Sequence, residues 1–127
     1  MTRNHEEHNM QVEVFRHARR LFPILERLMF AVPNARKCSA RERAWLKKEG
    51  LTAGVHDIII LVPRCGYPYL TIEMKLPVYE HRRNGGLSDA QLSFYNAVFS
   101  EGGMARTCHH VKDALDLIRG YMNEEID

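Results

Sequence analysis

Residues 57–75 read DIIILVPRCGYPYLTIEMK, and the fold turns on how this stretch pairs with itself. Asp57 opens the β-branched and apolar run Ile58, Ile59, Ile60, Leu61, Val62, which predicts a strand buried on both faces and central in its sheet. Pro63-Arg64-Cys65-Gly66 supplies a turn. Beyond it Pro68, Leu70, Ile72, Met74 and Leu76 alternate with Tyr67, Tyr69, Thr71, Glu73 and Lys75, the period of two that predicts a strand with one apolar and one polar face. If the turn centres on Cys65, antiparallel partners have residue numbers summing to 130, and Asp57 falls opposite Glu73.

The flanking sequence supplies the layers that such a hairpin needs. On the N-terminal side, Val14, Ala18, Leu21, Leu25 and Leu28 recur at helical spacing, so residues 6–29 read as a helix broken or kinked at Pro23. Residues 29–32 form a short apolar run stopped by Pro33-Asn34 and read as a strand. Ser39 followed by Glu42 is a capping box and Gly50 a stop, which predicts a short basic helix over 40–49. On the C-terminal side, Pro77 ends the second strand of the hairpin, and residues 78–86 read as a mobile basic loop. Ser88 and Gln91 form a second capping box, opening a helix to about residue 101 with Leu92, Tyr95, Val98 and Phe99 as its core face. A short strand over 104–108 and a closing helix over 111–122 complete the pattern, with a frayed tail after it. The fold class is α/β, a small mixed β-sheet flanked by helices.

Composition bounds the rest. The 127 residues, 45% hydrophobic and 27% charged, suit one domain over residues 1–127, and no stretch approaches the roughly 18 to 20 apolar residues of a membrane span. The net charge of +2 names no partner by itself, but between Arg16 and Lys48 ten basic residues face two acidic ones. That basic third is a footprint for a polyanion or a set of solvated helix faces, and charge alone does not choose between them. Cys38, Cys65 and Cys108 are few and far apart, without a C-x-x-C pair, so neither a disulfide framework nor a zinc site is written. With no export signal at the polar N-terminus, a reducing, cytoplasmic setting is expected.

Two like charges opposed across a hairpin are destabilising unless something positive lies between them. A divalent cation resolves that repulsion, and hard oxygen ligands without Cys or His suit Mg²⁺ or Mn²⁺ better than zinc. Lys75 projects from the same face as Glu73, where its ammonium can hold a nucleophilic water or stabilise charge on a phosphate. The bland reading is a surface Asp and an ordinary Glu–Lys pair, and E-x-K alone is a weak signal. Gly54, an acid opening an apolar strand and a second acid in compatible register together weigh against it.

The residues Gly54-Val55-His56-Asp57, Glu73-Met74-Lys75 and Leu87-Ser88-Asp89-Ala90-Gln91 resemble the G-x-P-D, E-x-K and S-x-x-Q motifs of the virus-type replication-repair nuclease (VRR-NUC) domain, of the PD-(D/E)XK superfamily with its restriction-endonuclease-like core. Glu7 to Gln11 is similar to the N-terminal helix motif of that family, and Ala31-Val32-Pro33-Asn34 to its P-N segment. The resemblance implies that Asp57 and Glu73 hold Mg²⁺ or Mn²⁺ with the carbonyl of Met74, and that Lys75 is the catalytic lysine. It further implies that Glu7 reaches the metal shell, with Glu6 and Glu13 as competitors, and that Gln91 supports the site. His56 replaces the family's proline, which bears on the backbone leading into the strand and leaves His56 open as an extra metal or phosphate contact.

From these readings the expected function is metal-dependent, structure-specific DNA endonuclease activity on branched DNA, a Holliday-junction resolvase-like activity of phage or prophage origin. Arg36, Lys37, Arg41, Arg43, Lys47, Lys48, Arg82 and Arg83 are the expected DNA contacts. One small domain carries one active site, so symmetric cutting of a four-way junction calls for a homodimer. The alternatives are a catalytically silent branched-DNA-binding accessory protein and a sequence-specific restriction-type endonuclease. Trp45, beside Ala44 and Leu46, is expected to pack in the core rather than to stack on a base. His5, His8, His17 and His109-His110 carry no ligand spacing.

Overall fold

The hairpin forms in the register that the spacing demands. A computed structural model of the chain describes residues 3–33 and 38–126; Asn34 and the expected DNA contacts Arg36 and Lys37 lie outside the described residues. Strand β2 (Ile58–Ile60) pairs antiparallel with β3 (Leu70–Met74), matching Ile58 with Ile72, Ile59 with Thr71 and Ile60 with Leu70, each pair summing to 130. The turn itself is centred half a residue further on. Cys65 and Gly66 both take positive φ, 55° and 79°, and Arg64 bridges Tyr67, a pair summing to 131. Both central residues with φ > 0 match the hairpin turn that follows the twist of the strands, where Gly is favoured. One extra residue on the 61–63 side then restores the ladder.

Around this hairpin the elements run in the predicted order. Helix α1 (Arg3–Leu21) ends before Pro23, and a single turn, α2 (Leu25–Leu28), follows the break. Strand β1 (Met29–Ala31) pairs antiparallel with β2 on its free side. Helix α3 (Ala40–Lys48) is capped by the Ser39 side chain, which accepts the Glu42 N–H. Helix α4 (Asp89–Ser100) opens on the full capping box of Ser88 and Gln91. It carries the chain over to β4 (Met104–Cys108), which pairs parallel with β3, as a parallel pair requires a crossover. Helix α5 (Val111–Met122) closes the described fold. The sheet order β1-β2-β3-β4 makes β2 and β3 interior strands, in a mixed sheet. No described helix is long and apolar enough to cross a membrane.

The core lies between the sheet and α1 and α5, where Val14, Ala18, Ile58, Ile60, Leu70, Ile72, Ala114, Ile118 and Tyr121 are buried together. Tyr121, which periodicity alone does not single out, donates its hydroxyl to the Val62 carbonyl at 2.6 Å. Three expectations are corrected. β3 does not have a solvent-facing polar side: it is buried throughout, because on its second face His56 covers Thr71 and Gln91 of α4 covers Glu73. The expected loop over 78–86 is built of tight turns: a 3-10 turn over Pro77–Tyr79, then a turn over 83–86 in which Asn84 and Gly85 take left-handed backbone, φ 55° and 63°. They are latched to the start of α5 by His109, whose Nε2 lies 2.7 Å from the Gly85 carbonyl, and by His110 against Glu80 at 2.8 Å. Trp45 is not in the core: it is 70% exposed, and no side chain of α3 is fully buried, Arg43 and Leu46 being half-buried.

Candidate active site

Asp57 stands one residue before the ladder of β2 begins, and Glu73 sits within β3 at the position opposite. The two are tied through main chain as well as side chain: the Asp57 N–H donates to Glu73 Oε1 at 3.1 Å, and the Met74 N–H donates to Asp57 Oδ2 at 3.1 Å. Each carboxyl is thus aimed by the backbone of the other strand. Glu73 is only 3% exposed, and its Oε2 accepts the side-chain amide of Gln91 at 2.9 Å. Gln91 has no freedom to turn away, because its Oε1 is held by the Ser88 N–H at 2.9 Å in the capping box. The residue that caps α4 therefore also positions the buried acid.

Charge in this pair is strongly opposed. Burial, then the neighbouring Asp57, pushes the Glu73 carboxyl up to about 8, with Lys75 pulling the other way. Burial also raises Asp57, against the Met74 N–H and Lys75. Two opposed carboxyls with little water around them resist ionising together, and a positive charge between them relieves that resistance. The Lys75 ammonium, 3.8 Å from Glu73 Oε2 and itself largely buried, compensates in part.

The pair opens into a cleft of about 600 Å³ that brings together most of the predicted residues: Glu7, Asp57, Glu73, Met74, Lys75 and Gln91. Of the three acids on α1, Glu7 is the one lining this cleft, and its charge reaches Asp57. Glu13 instead pairs with Arg16 at 2.9 Å and His17 at 3.0 Å, and Glu6 is exposed. Of the expected DNA contacts, Arg43 and Lys47 on α3 line the same cleft, one helical turn apart. Arg41, Lys48, Arg82 and Arg83 do not; Arg82 lies over the Tyr79 ring at 4.9 Å.

His56 is a residue whose role the sequence did not reveal. It is fully buried, with Nδ1 3.0 Å from Thr71 Oγ1 and Nε2 3.3 Å from the Gln91 carbonyl, and its ring meets Phe94 edge-on at 4.8 Å. A carbonyl only accepts, so Nε2 carries the proton and Nδ1 accepts from the Thr71 hydroxyl. Burial lowers its pKa and keeps it neutral. His56 is thus neither an extra metal ligand nor a phosphate contact; it ties β3 to the first turn of α4. The chain bends at Asp57, so strand alternation does not tell which way His56 faces. Gly54, at φ +84°, passes so close to α4 that a Cβ there would lie 2.2 Å from the Ala90 carbonyl oxygen.

The donor set has a definite chemical character. Among the described residues no group of three or more His, Cys, Asp or Glu side chains converges to hold a metal. What converges is a carboxylate pair with main-chain groups beside it. That set fits Mg²⁺ or Mn²⁺, which take one or two carboxylates and complete their shell with water and substrate phosphate, and it does not fit zinc.

Neither a protein-family model nor a curated protein matches the chain. Its fold does match a solved structure of a VRR_NUC domain protein, with a TM-score of 0.73 and 23% sequence identity over 92% of this chain and 88% of that one.

Proposed function

We propose that this chain is a VRR-NUC-type nuclease, a Mg²⁺- or Mn²⁺-dependent endonuclease that hydrolyses phosphodiester bonds in branched DNA, the four-way junction being the expected substrate. One observation carries the reading: half-buried Asp57 and buried Glu73, facing each other across the β2–β3 hairpin, lie in a cleft walled by Lys75, Arg43 and Lys47. A pair of acids that needs a cation, surrounded by cations that need an anion, suits a metal bridged to a phosphate.

Asp57 and Glu73 would hold the ion, with the Met74 carbonyl as a third donor and Glu7 at its outer side. When bound, the ion polarises the scissile phosphate and lowers the pKa of an attacking water. The chain's own groups do the remainder. Lys75 has its ammonium beside Glu73, where it can hold the water or neutralise charge growing on the phosphate. Gln91 and the Asp57 N–H fix both oxygens of Glu73, so the acid does not have to reorganise during the reaction. Arg43 and Lys47 would take the phosphates flanking the cut, a contact that reads backbone rather than base. Since one chain has one such cleft, paired cuts at a junction would call for a homodimer.

The test is cleavage of four-way junction, flap, splayed-arm, linear duplex and single-stranded DNA side by side, with Mg²⁺ or Mn²⁺ titrated. Preference for branched DNA is expected, with Asp57→Ala and Glu73→Ala each lowering cleavage on the order of 10³-fold or more while DNA binding persists. Undiminished cutting by either variant would overturn the site.

A further inference from the structure

The cleft accounts for one face of α3 and leaves the other unexplained. Arg43 and Lys47 point into the cleft. Trp45, two residues from each, is turned by about 200° from both and stands on the far side of the helix. There it is 70% exposed and, with Arg41, Glu42 and Leu46, lines a shallow depression. An indole held open to water, on a helix whose half-buried side chains are Arg43 and Leu46 and not Trp45, does not serve the fold. Resting on the nuclease reading above, we infer that Trp45 stacks on an unpaired or terminal base of the DNA strand diverging from the one in the cleft, so that α3 stands as a wedge between two parting strands.

Three considerations support this. Between residues 40 and 48 the helix carries Arg41, Arg43, Lys47 and Lys48 against Glu42 alone, so its surroundings attract a polyanion on both faces. In an intact duplex the base faces are covered by their neighbours and only the edges show in the grooves. A flat apolar ring such as indole therefore finds a partner only where stacking is interrupted, at a branch point or an end. Finally, a second copy of the chain is a poor occupant. A two-fold interface centred on this surface would set one basic helix against another, and like charges so opposed repel.

Trp45 is the sole tryptophan of the chain, which makes the test direct. Its emission is followed while splayed-arm DNA or blunt duplex is titrated into the intact protein in EDTA, where no cleavage occurs. Binding is measured separately by anisotropy of labelled DNA. Splayed-arm DNA is expected to quench the emission strongly and blunt duplex to do so far less. Trp45→Ala should weaken splayed-arm binding about 5- to 100-fold, and Trp45→Phe should restore much of it. Saturation by splayed-arm DNA without quenching, or with the affinity of Trp45→Ala unchanged, would overturn the stacking and leave the nuclease reading standing. A blue shift that grows with protein concentration in the absence of DNA would also overturn it, assigning Trp45 to an interface between copies. Failure to bind any of the DNAs would overturn both readings together.

Discussion

Replacing Glu73 by glutamine is expected to stabilise the metal-free protein in alkaline solution while disabling it. The folded-state carboxyl titrates at about 8 against an ordinary value of 4.5, so folding favours its neutral form. For an acid shifted in this direction, stability is highest below the unfolded value. It is lost progressively as pH climbs from about 4.5 to about 8, and then levels off. At 1.36 kcal/mol per unit, the loss between pH 5 and pH 8 amounts to about 3 to 4 kcal/mol. Glutamine does not titrate and escapes this loss. It keeps an oxygen for the Asp57 N–H but sets an amide against the Gln91 amide, since Gln91 already spends its oxygen on Ser88. That mismatch costs about 1 kcal/mol at any pH. The variant should therefore melt slightly below the wild type at pH 5 and well above it at pH 8. The gap between the two should move on the order of 10 °C for a chain of this size. The assay is a thermal melt of both proteins in EDTA at pH 5, 6, 7 and 8, then at pH 8 with Mg²⁺, which should raise the wild type and not the variant. A gap constant across the pH series would refute the opposed-carboxyl account of the site.

Three further outcomes follow from the geometry. Gly54→Ala puts a Cβ against the Ala90 carbonyl at a positive φ, and should lower stability by about 2 to 4 kcal/mol in urea unfolding and abolish cleavage by shifting Gln91. His56→Ala opens a cavity and strands the Thr71 hydroxyl and the Gln91 carbonyl, a loss of about 2 to 4 kcal/mol by the same measurement, while His56→Gln should recover part of it. The double replacement of Arg43 and Lys47 by alanine should flatten the slope of log affinity against log salt by about 2, measured by DNA titration from 50 to 300 mM salt, whereas replacing Arg82 and Arg83 should change it less.

The register of the hairpin was legible because a buried strand leaves the pattern little freedom: a slip of one residue would have turned Glu73 away from Asp57. The reason was only approximately right, since the turn lies at Cys65-Gly66 and an added residue between Leu61 and Pro63 restores the sum of 130. Helix starts were legible wherever a cap was local, as at Ser39 and Ser88. What escaped were matters of tertiary covering. Alternation along β3 looked like a half-exposed strand because Thr71 and Glu73 are polar, yet their partners His56 and Gln91 arrive from 15 and 18 residues away. Trp45 was expected inside for its neighbours' sake, but Leu46 is only half-buried and Trp45 is turned out to solvent. His56 acts through a bend, where no periodicity applies.

Helix α1 packs on α5, so the segment that carries Glu7 rests on the segment that ends at Met122. The opposed acids come from a hairpin complete by residue 74, but the helix bearing Glu7 has its apolar stripe of Val14 and Ala18 uncovered until Ala114, Ile118 and Tyr121 have been made. The acid pair is thus set by local pairing, whereas the wall that Glu7 forms depends on the last described helix. A substitution that loosens Ala114, Ile118 or Tyr121 would therefore free α1, and Glu7 with it, while leaving the opposed acids of the hairpin in place.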